Sequence, residues 1–204
     1  MSWKQVLAWI TVSSCLILLN AGCGKKILQG VLIEEVKGTV QTRITRESLF
    51  EAAKPKMALA VGGAIKSGDD GFARISFPSG ATIEIRPDTF FEIGEDNNLG
   101  KQANGEALFQ VKPQGVKTTV ETPHGVTAIL GTKFLQQISS DSTTISLFEG
   151  KVQFMANNGK SETLDEKKQL TIKNGTVQKP LEMDPFLIQK LQNPGVKLPG
   201  LNQR

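Results

Sequence analysis

The chain has no tyrosine, one histidine (His124) and two cysteines (Cys15 and Cys23) in 204 residues. Both tryptophans, Trp3 and Trp9, fall in the first ten residues, so everything after Cys23 lacks cysteine, tryptophan and tyrosine. A disulfide framework, a thiolate metal cluster and a cysteine nucleophile are therefore excluded from the body of the protein. A single histidine excludes a multi-histidine metal site and a two-histidine acid–base pair. No basic run exceeds Lys25-Lys26 or Lys167-Lys168. Without a clustered basic face, and with few aromatics, no nucleic-acid partner is expected. What is present is ordinary: 39% hydrophobic residues, 22% charged and a net charge of +4. That composition belongs to a globular chain, not to a disordered, collagenous or polytopic membrane protein.

The N-terminus reads as an export signal. Lys4 supplies the positive charge, Val6–Leu19 the apolar run, and Asn20-Ala21-Gly22-Cys23 the small-residue cleavage zone. A cysteine directly after Ala-Gly resembles the bacterial lipobox, with Asn20 where leucine is usual. Lipidation at Cys23 is the leading expectation. An uncleaved anchor over Val6–Gly24 and ordinary cleavage without lipid are the alternatives, and all three imply export. The implied organisation is a signal peptide over 1–22, a tether over 23–30, a β domain over 31–180, and a short helix with an extended tail over 181–204.

Period-two alternation dominates the body. Ala73, Ile75 and Phe77 share one face of 72–77, and Ala81, Ile83 and Ile85 share one face of 81–86, with Pro78-Ser79-Gly80 between them. That is a hairpin signal. Alternation continues through Ala107/Phe109/Val111, Val116/Thr118/Val120, Val126/Ala128/Leu130, Ile145/Leu147, Val152/Phe154 and Leu170/Ile172. Turn signals recur about every ten residues, among them Asp70-Gly71, Asn104-Gly105, Asn158-Gly159 and Asn174-Gly175. The fold class is all-β, built of many short strands as a solenoid, roll or sandwich. A weak repeat, Gly-[Lys/Thr]-Val-Gln, begins at Gly38, Gly150 and Gly175. Two helices are expected: one over Arg46–Ala53, stopped by Pro55, and one over Phe186–Gln192, with Asp184 as cap and Pro185 in its first turn.

The stretch Ile65-Lys66-Ser67-Gly68-Asp69, followed by Ala73-Arg74-Ile75-Ser76-Phe77-Pro78-Ser79-Gly80 and Thr82-Ile83-Glu84-Ile85, resembles the signature of the FecR domain. Val120-Glu121-Thr122-Pro123-His124-Gly125, then Gly131-Thr132-Lys133-Phe134 and Glu149-Gly150-Lys151-Val152, resemble its later motifs. The likeness runs over about 31–178. It implies that Gly68, Asp69, Gly80, Pro123, Gly125, Gly131, Thr132 and Gly150 are architectural: Pro123 and Gly125 bracket a turn, Gly131 permits a bulge or close packing, and Thr132 makes a local backbone hydrogen bond. It also implies an extracytoplasmic module. The best-known members receive a signal outside the inner membrane and control a sigma factor through a cytoplasmic segment. Only Met1–Gln5 precede the apolar run here, so this chain is expected to be a stand-alone FecR-domain protein.

Reactive groups are scarce. His124 reads as a surface turn histidine. Asp69-Asp70 and Glu95-Asp96-Asn97-Asn98 lack a calcium-loop pattern, so no metal and no cofactor is expected. Glu84, Glu92 and Arg86 read as a solvated sheet face and not as a glycosidase pair. The chain is read as no enzyme. The function expected is a non-catalytic adaptor on the periplasmic side of the bacterial envelope, lipid-anchored to the inner or outer membrane. It would bind an envelope protein through a strand edge or sheet face. The sequence leaves the oligomeric state open. The alternative is a glycan or peptidoglycan binder, for which Phe90 and Phe148 are the outward aromatics by alternation.

Overall fold

A computed structural model describes residues 30–113 and 115–192. The signal peptide, Trp3, Trp9, Cys15, the proposed lipidation site Cys23 and most of the tether lie outside the described residues, as does the tail over 193–204.

The chain shuttles between two sheets, here called front and back. β1 (Val31–Lys37) opens the front sheet, and β2 (Val40–Arg43) crosses to the back, flanked by β3 (Glu51–Ala52). β4 (Ala58–Leu59) returns to pair with β1. β5 (Ala64–Ser67) joins β2 behind; β6 (Phe72–Ser76) and β7 (Thr82–Ile85) extend the front. β8 (Phe90–Ile93) lies behind beside β5. After the 13-residue β9 (Asn98–Gln110), β10 (Thr118–Thr122) and β11 (Gly125–Ile129) continue the back sheet. β12 (Lys133–Ile138) and β13 (Ser142–Glu149) continue the front; β14 (Lys151–Ala156) and β15 (Ser161–Asp165) close the back. β16 (Lys168–Lys173), with β17 (Thr176–Val177) and β18 (Leu181–Glu182) beside it, closes the front, and α1 (Pro185–Gln192) follows.

Every pairing is antiparallel except β9 with β10. The structure is thus a two-layer antiparallel array that advances along its length, and not a parallel solenoid. The repeated Gly38, Gly150 and Gly175 each take positive φ one or two residues before a strand restarts, at β2, β14 and β17.

The alternation read from sequence builds the core directly. Ala73, Ile75, Ile83, Ile85 and Phe109 are fully buried from the front, and Ile65, Phe91, Val120, Ile129 and Phe154 from the back. Phe109 stacks on Phe134 at 4.7 Å and meets Phe91 of the opposite sheet at 6.2 Å. Each such ring contributes on the order of 2–3 kcal/mol by leaving water.

One strand belongs to both layers. The first half of β9 pairs with β8 and β10 behind, and its second half with β7 and β12 in front. Asn104-Gly105, expected as a turn between strands, is instead the bend inside this strand. Gly105 has φ +82°, and a Cβ there would lie 2.5 Å from the Asp88 carbonyl oxygen, so only glycine fits. Thr89, 1% exposed, braces the bend: its Oγ1 accepts from the Glu106 N–H at 2.8 Å and donates to the Glu106 carbonyl at 3.0 Å. Beside it lies a fully buried polar bridge between the sheets. Gln136 Nε2 of the front donates to Gln102 Oε1 of the back at 3.0 Å, and Thr127 Oγ1 donates to Gln136 Oε1 at 2.8 Å. Gln102 Nε2 donates to the Gly105 carbonyl at 3.0 Å.

The two expected helices divide. Asp184 Oδ1 accepts from the Phe186 N–H at 2.8 Å, which caps α1 as the sequence indicates. Arg46–Ala53 is not helical: it is a turn running into β3. Thr45 and Ser48 join hydroxyls at 2.8 Å and so offer the backbone a local alternative. Eight residues without a docked apolar stripe are too few to hold a helix.

Gln136→Ala orphans the Gln102 amide oxygen and the Thr127 hydroxyl. Urea unfolding is expected to show a loss of about 1–3 kcal/mol per orphaned group. An unchanged midpoint would mean the bridge does not tie the sheets.

Candidate binding face on the back sheet

Outward-facing residues of the back sheet line up by register. Arg43 lies opposite Ala64, Ala64 opposite Glu92, Glu92 opposite Lys101 and Lys101 opposite Glu121. The segment 44–50 folds over this row. The Ala60 N–H donates to the Ile44 carbonyl at 2.9 Å, and Arg46 reaches Glu92 at 2.8 Å. Arg43 takes the other carboxylate oxygen at 2.7 Å, so Glu92 holds two guanidinium groups. The Arg43 guanidinium also lies 5.5 Å from the centre of the Phe50 ring, a cation–π distance.

Two grooves flank this latch. The larger, about 620 Å³, is lined by Arg46, Glu47, Val61, Glu95, Lys101 and Glu121 with their neighbours. Asn98 Nδ2 donates to Glu121 at 2.8 Å, and among the described residues Lys101 has no ion-pair partner. The smaller, about 400 Å³, has an aromatic wall made by Phe50 and Phe90, 6.3 Å apart and tilted by 57°. Gln41, Lys66, Asp88 and Asn104 supply its polar rim. Leu49, 89% exposed, stands beside this face. The face therefore offers charges of both signs next to an aromatic surface, a mixture that suits binding and holds no nucleophile paired with a base.

Outside this face the motif residues shape turns. Gly80 (φ +78°) closes the β6–β7 hairpin, its N–H donating to the Phe77 carbonyl at 2.8 Å. Pro123 and His124 form the two-residue turn between β10 and β11. A Cβ on Gly125 would lie 2.7 Å from the Phe154 ring. Gly131 (φ +68°) packs against Pro113, and Gly150 against Gly131 and Thr132. The Thr132 hydroxyl is buried without a hydrogen-bond partner; it is the Thr132 carbonyl that accepts, from the Val111 N–H at 2.9 Å. Gly68 donates its N–H to the Thr39 carbonyl at 2.8 Å. Asp69 is exposed, and the working carboxylate is its neighbour. Asp70 Oδ1 accepts from the Thr39 N–H at 2.9 Å, and that bond holds its pKa below the ordinary carboxylate value.

His124 is half-buried, not a plain surface residue. Its Nδ1 lies 2.8 Å from Thr143 Oγ1, which clamps the back-sheet turn to β13 of the front. Thr143 is fully buried and so unreachable by a substrate. Glu84 pairs with Arg74 at 3.0 Å on the front sheet, whereas Glu92 lies on the back, so the two carboxylates do not face each other. Arg86 pairs with Glu106. Among the described residues, no three His, Cys, Asp or Glu side chains converge as a metal site.

The two-layer β module carries a charged, aromatic-edged face on its back sheet, and part of the chain matches a known family. Residues 63–153 match the family described as FecR protein. The matched stretch runs from the start of β5 into β14; β1–β4 and β15–β18 add strands at both ends. Two crystal structures of a "putative anti-sigma factor" from Parabacteroides distasonis share the fold, each with TM-score 0.54 and 18% identity. The first alignment covers 63% of this chain and 62% of the other, and the second 64% of each. The chain thus spans under two thirds of the length of those proteins. No curated protein matches it.

Two outcomes test this geometry. Glu92→Ala releases both arginines, and hydrogen exchange over 44–50 is expected to accelerate while global stability falls by only about 1 kcal/mol or less. Unchanged exchange there would mean the latch does not hold the segment. Asp70→Asn removes a carboxylate whose folded pKa is depressed. The stability that carboxylate contributes is present above its unfolded pKa and is lost as pH falls through the folded pKa. The melting temperatures of Asp70→Asn and the parent should therefore differ near neutrality and converge in strong acid. A gap that persists in acid would contradict the assigned cause.

Proposed function

We propose that the protein is a non-catalytic adaptor on the periplasmic side of the bacterial envelope, tethered by lipid at Cys23. It engages an envelope protein through the outer face of the back sheet. The observation that carries this reading is the latch of Arg43, Arg46 and Glu92, with a groove on either side of it, built on a FecR domain. Free and paired charges of both signs select a partner by complementarity more than by bulk hydrophobicity. The likeness to a fold described as an anti-sigma factor adds support for a regulatory, protein-binding role. The motif-bearing residues fit that role, since they set turns and packing and perform no chemistry.

A second reading has its own observation. The tilted Phe50–Phe90 pair beside Asp88, Asn104 and Gln41 is the kind of wall and rim on which a sugar ring stacks. Phe148 is not among the residues lining either groove.

Crosslinking in intact cells decides between them. One dominant envelope protein is expected to co-purify in near-equal amount, and Arg46→Glu is expected to lower its recovery at least about tenfold, the loss typical of a mispaired interfacial charge. Retention on sedimented cell wall, abolished by Phe50→Ala with Phe90→Ala and untouched by Arg46→Glu, would overturn the adaptor reading in favour of the glycan one.

A further inference from the structure

The four ends of the two sheets are finished differently. β3 and β4 close one end, and β17 and β18 flank β16 at the other, each with two residues. Such short edges offer little to another strand. β15 has five residues and pairs only with β14.

The ladder shows which way its backbone points. The Ala156 N–H donates to the Lys160 carbonyl at 2.8 Å, and the register sets Phe154 opposite Glu162 and Val152 opposite Leu164. Antiparallel pairs alternate between bonded and non-bonded sites, so Glu162 and Leu164 spend their N–H and C=O groups on β14. The groups of Ser161, Thr163 and Asp165 therefore point away from the sheet. Among the described residues nothing bonds to them.

We propose that this edge pairs with the same edge of a second copy, Thr163 against Thr163 about a two-fold axis. An isologous contact must be self-complementary, and this one is. With Thr163 at the centre, Ser161 faces Asp165 of the second copy, and every outward backbone group finds a partner. One step further out, Lys160 faces Glu166 of the second copy, twice by symmetry. No like charges face each other in this register, and Glu162 meets Leu164. Lys160, Ser161, Thr163, Asp165 and Glu166 are all exposed in the single chain. Lys151, which pairs with Asp165 at 3.1 Å, stays within its own subunit. The pairing joins two back sheets edge to edge and leaves both grooves open, so each dimer presents two binding faces.

The full chain in neutral detergent tests this. Thr163→Cys places two thiols across a bonded pair, where Cα atoms about 5.5 Å apart fall within disulfide range. Mild oxidation should yield several-fold more disulfide-linked dimer than the parent, or than Asn174→Cys at an exposed hairpin tip. Lys160→Glu in the Thr163→Cys chain should lower that yield, and adding Glu166→Lys should restore it. Thr163→Pro removes an outward N–H that β14 does not use, so the circular dichroism should persist while the sedimenting protein mass falls by half. A Thr163→Cys yield no greater than the parent's, or a parent that sediments as a monomer, would overturn the pairing.

Discussion

Gln102, Thr127 and Gln136 meet between the two sheets without any exposed surface, and their hydrogen bonds fix how β9 leaves one layer for the other. A buried amide left without partners costs more than an apolar side chain would gain, so these two contacts make one relative placement of the sheets far better than its neighbours. The bend at Gly105 lies within three residues of Gln102 and is held from the other side by Thr89. Once β9 is placed, β7 and β12 can pair in front of it, and β8 and β10 behind.

The same strand positions the candidate face. Its back half carries Lys101 beside Glu92 and Glu121, and a bulge lies where Phe90 meets Asn104. Gly100, opposite Ile93, allows a close approach beside Lys101: its φ is +146°, and a Cβ would lie 2.9 Å from the Phe91 ring. Backbone packing therefore places the charged row over the aromatic core with no room for a side chain between them. The face is held by sheet geometry on one side and by the 44–50 latch on the other. Its rigid part and its adjustable part are thus different segments of chain.

The strands were legible because period-two alternation is a local property. Ala73, Ile75, Ile83 and Ile85 announce their sheet face within a dozen residues, and Asp184-Pro185 announces a cap. The FecR resemblance was legible for the same reason, since its motifs mark turns such as Pro123-His124. What could not be read is what pairs at long range. Arg46 meets Glu92 across 46 positions, and Phe50 meets Phe90 across the sheet. The sequence over 46–53 reads as a helix because Glu47, Ala52 and Ala53 favour one locally; tertiary pairing of Arg46 and Phe50 outweighs that preference. Asn104-Gly105 looks like any hairpin turn, because a bend inside a strand and a turn between strands ask for the same positive φ. Alternation marks Phe90 and Phe148 as outward, but the ring that meets Phe90 is Phe50, in a segment whose local pattern favours a helix.

β9 serves both layers as one cooperative strand. Native-state hydrogen exchange of the β9 amides, read against global unfolding in urea, tests this most directly. Amides in the back half, such as Gln102, and in the front half, such as Phe109, are expected to exchange only through global unfolding and with the same free energy. A back half that opens at markedly lower free energy while the front stays closed would show that the sheets fold apart, and would contradict it.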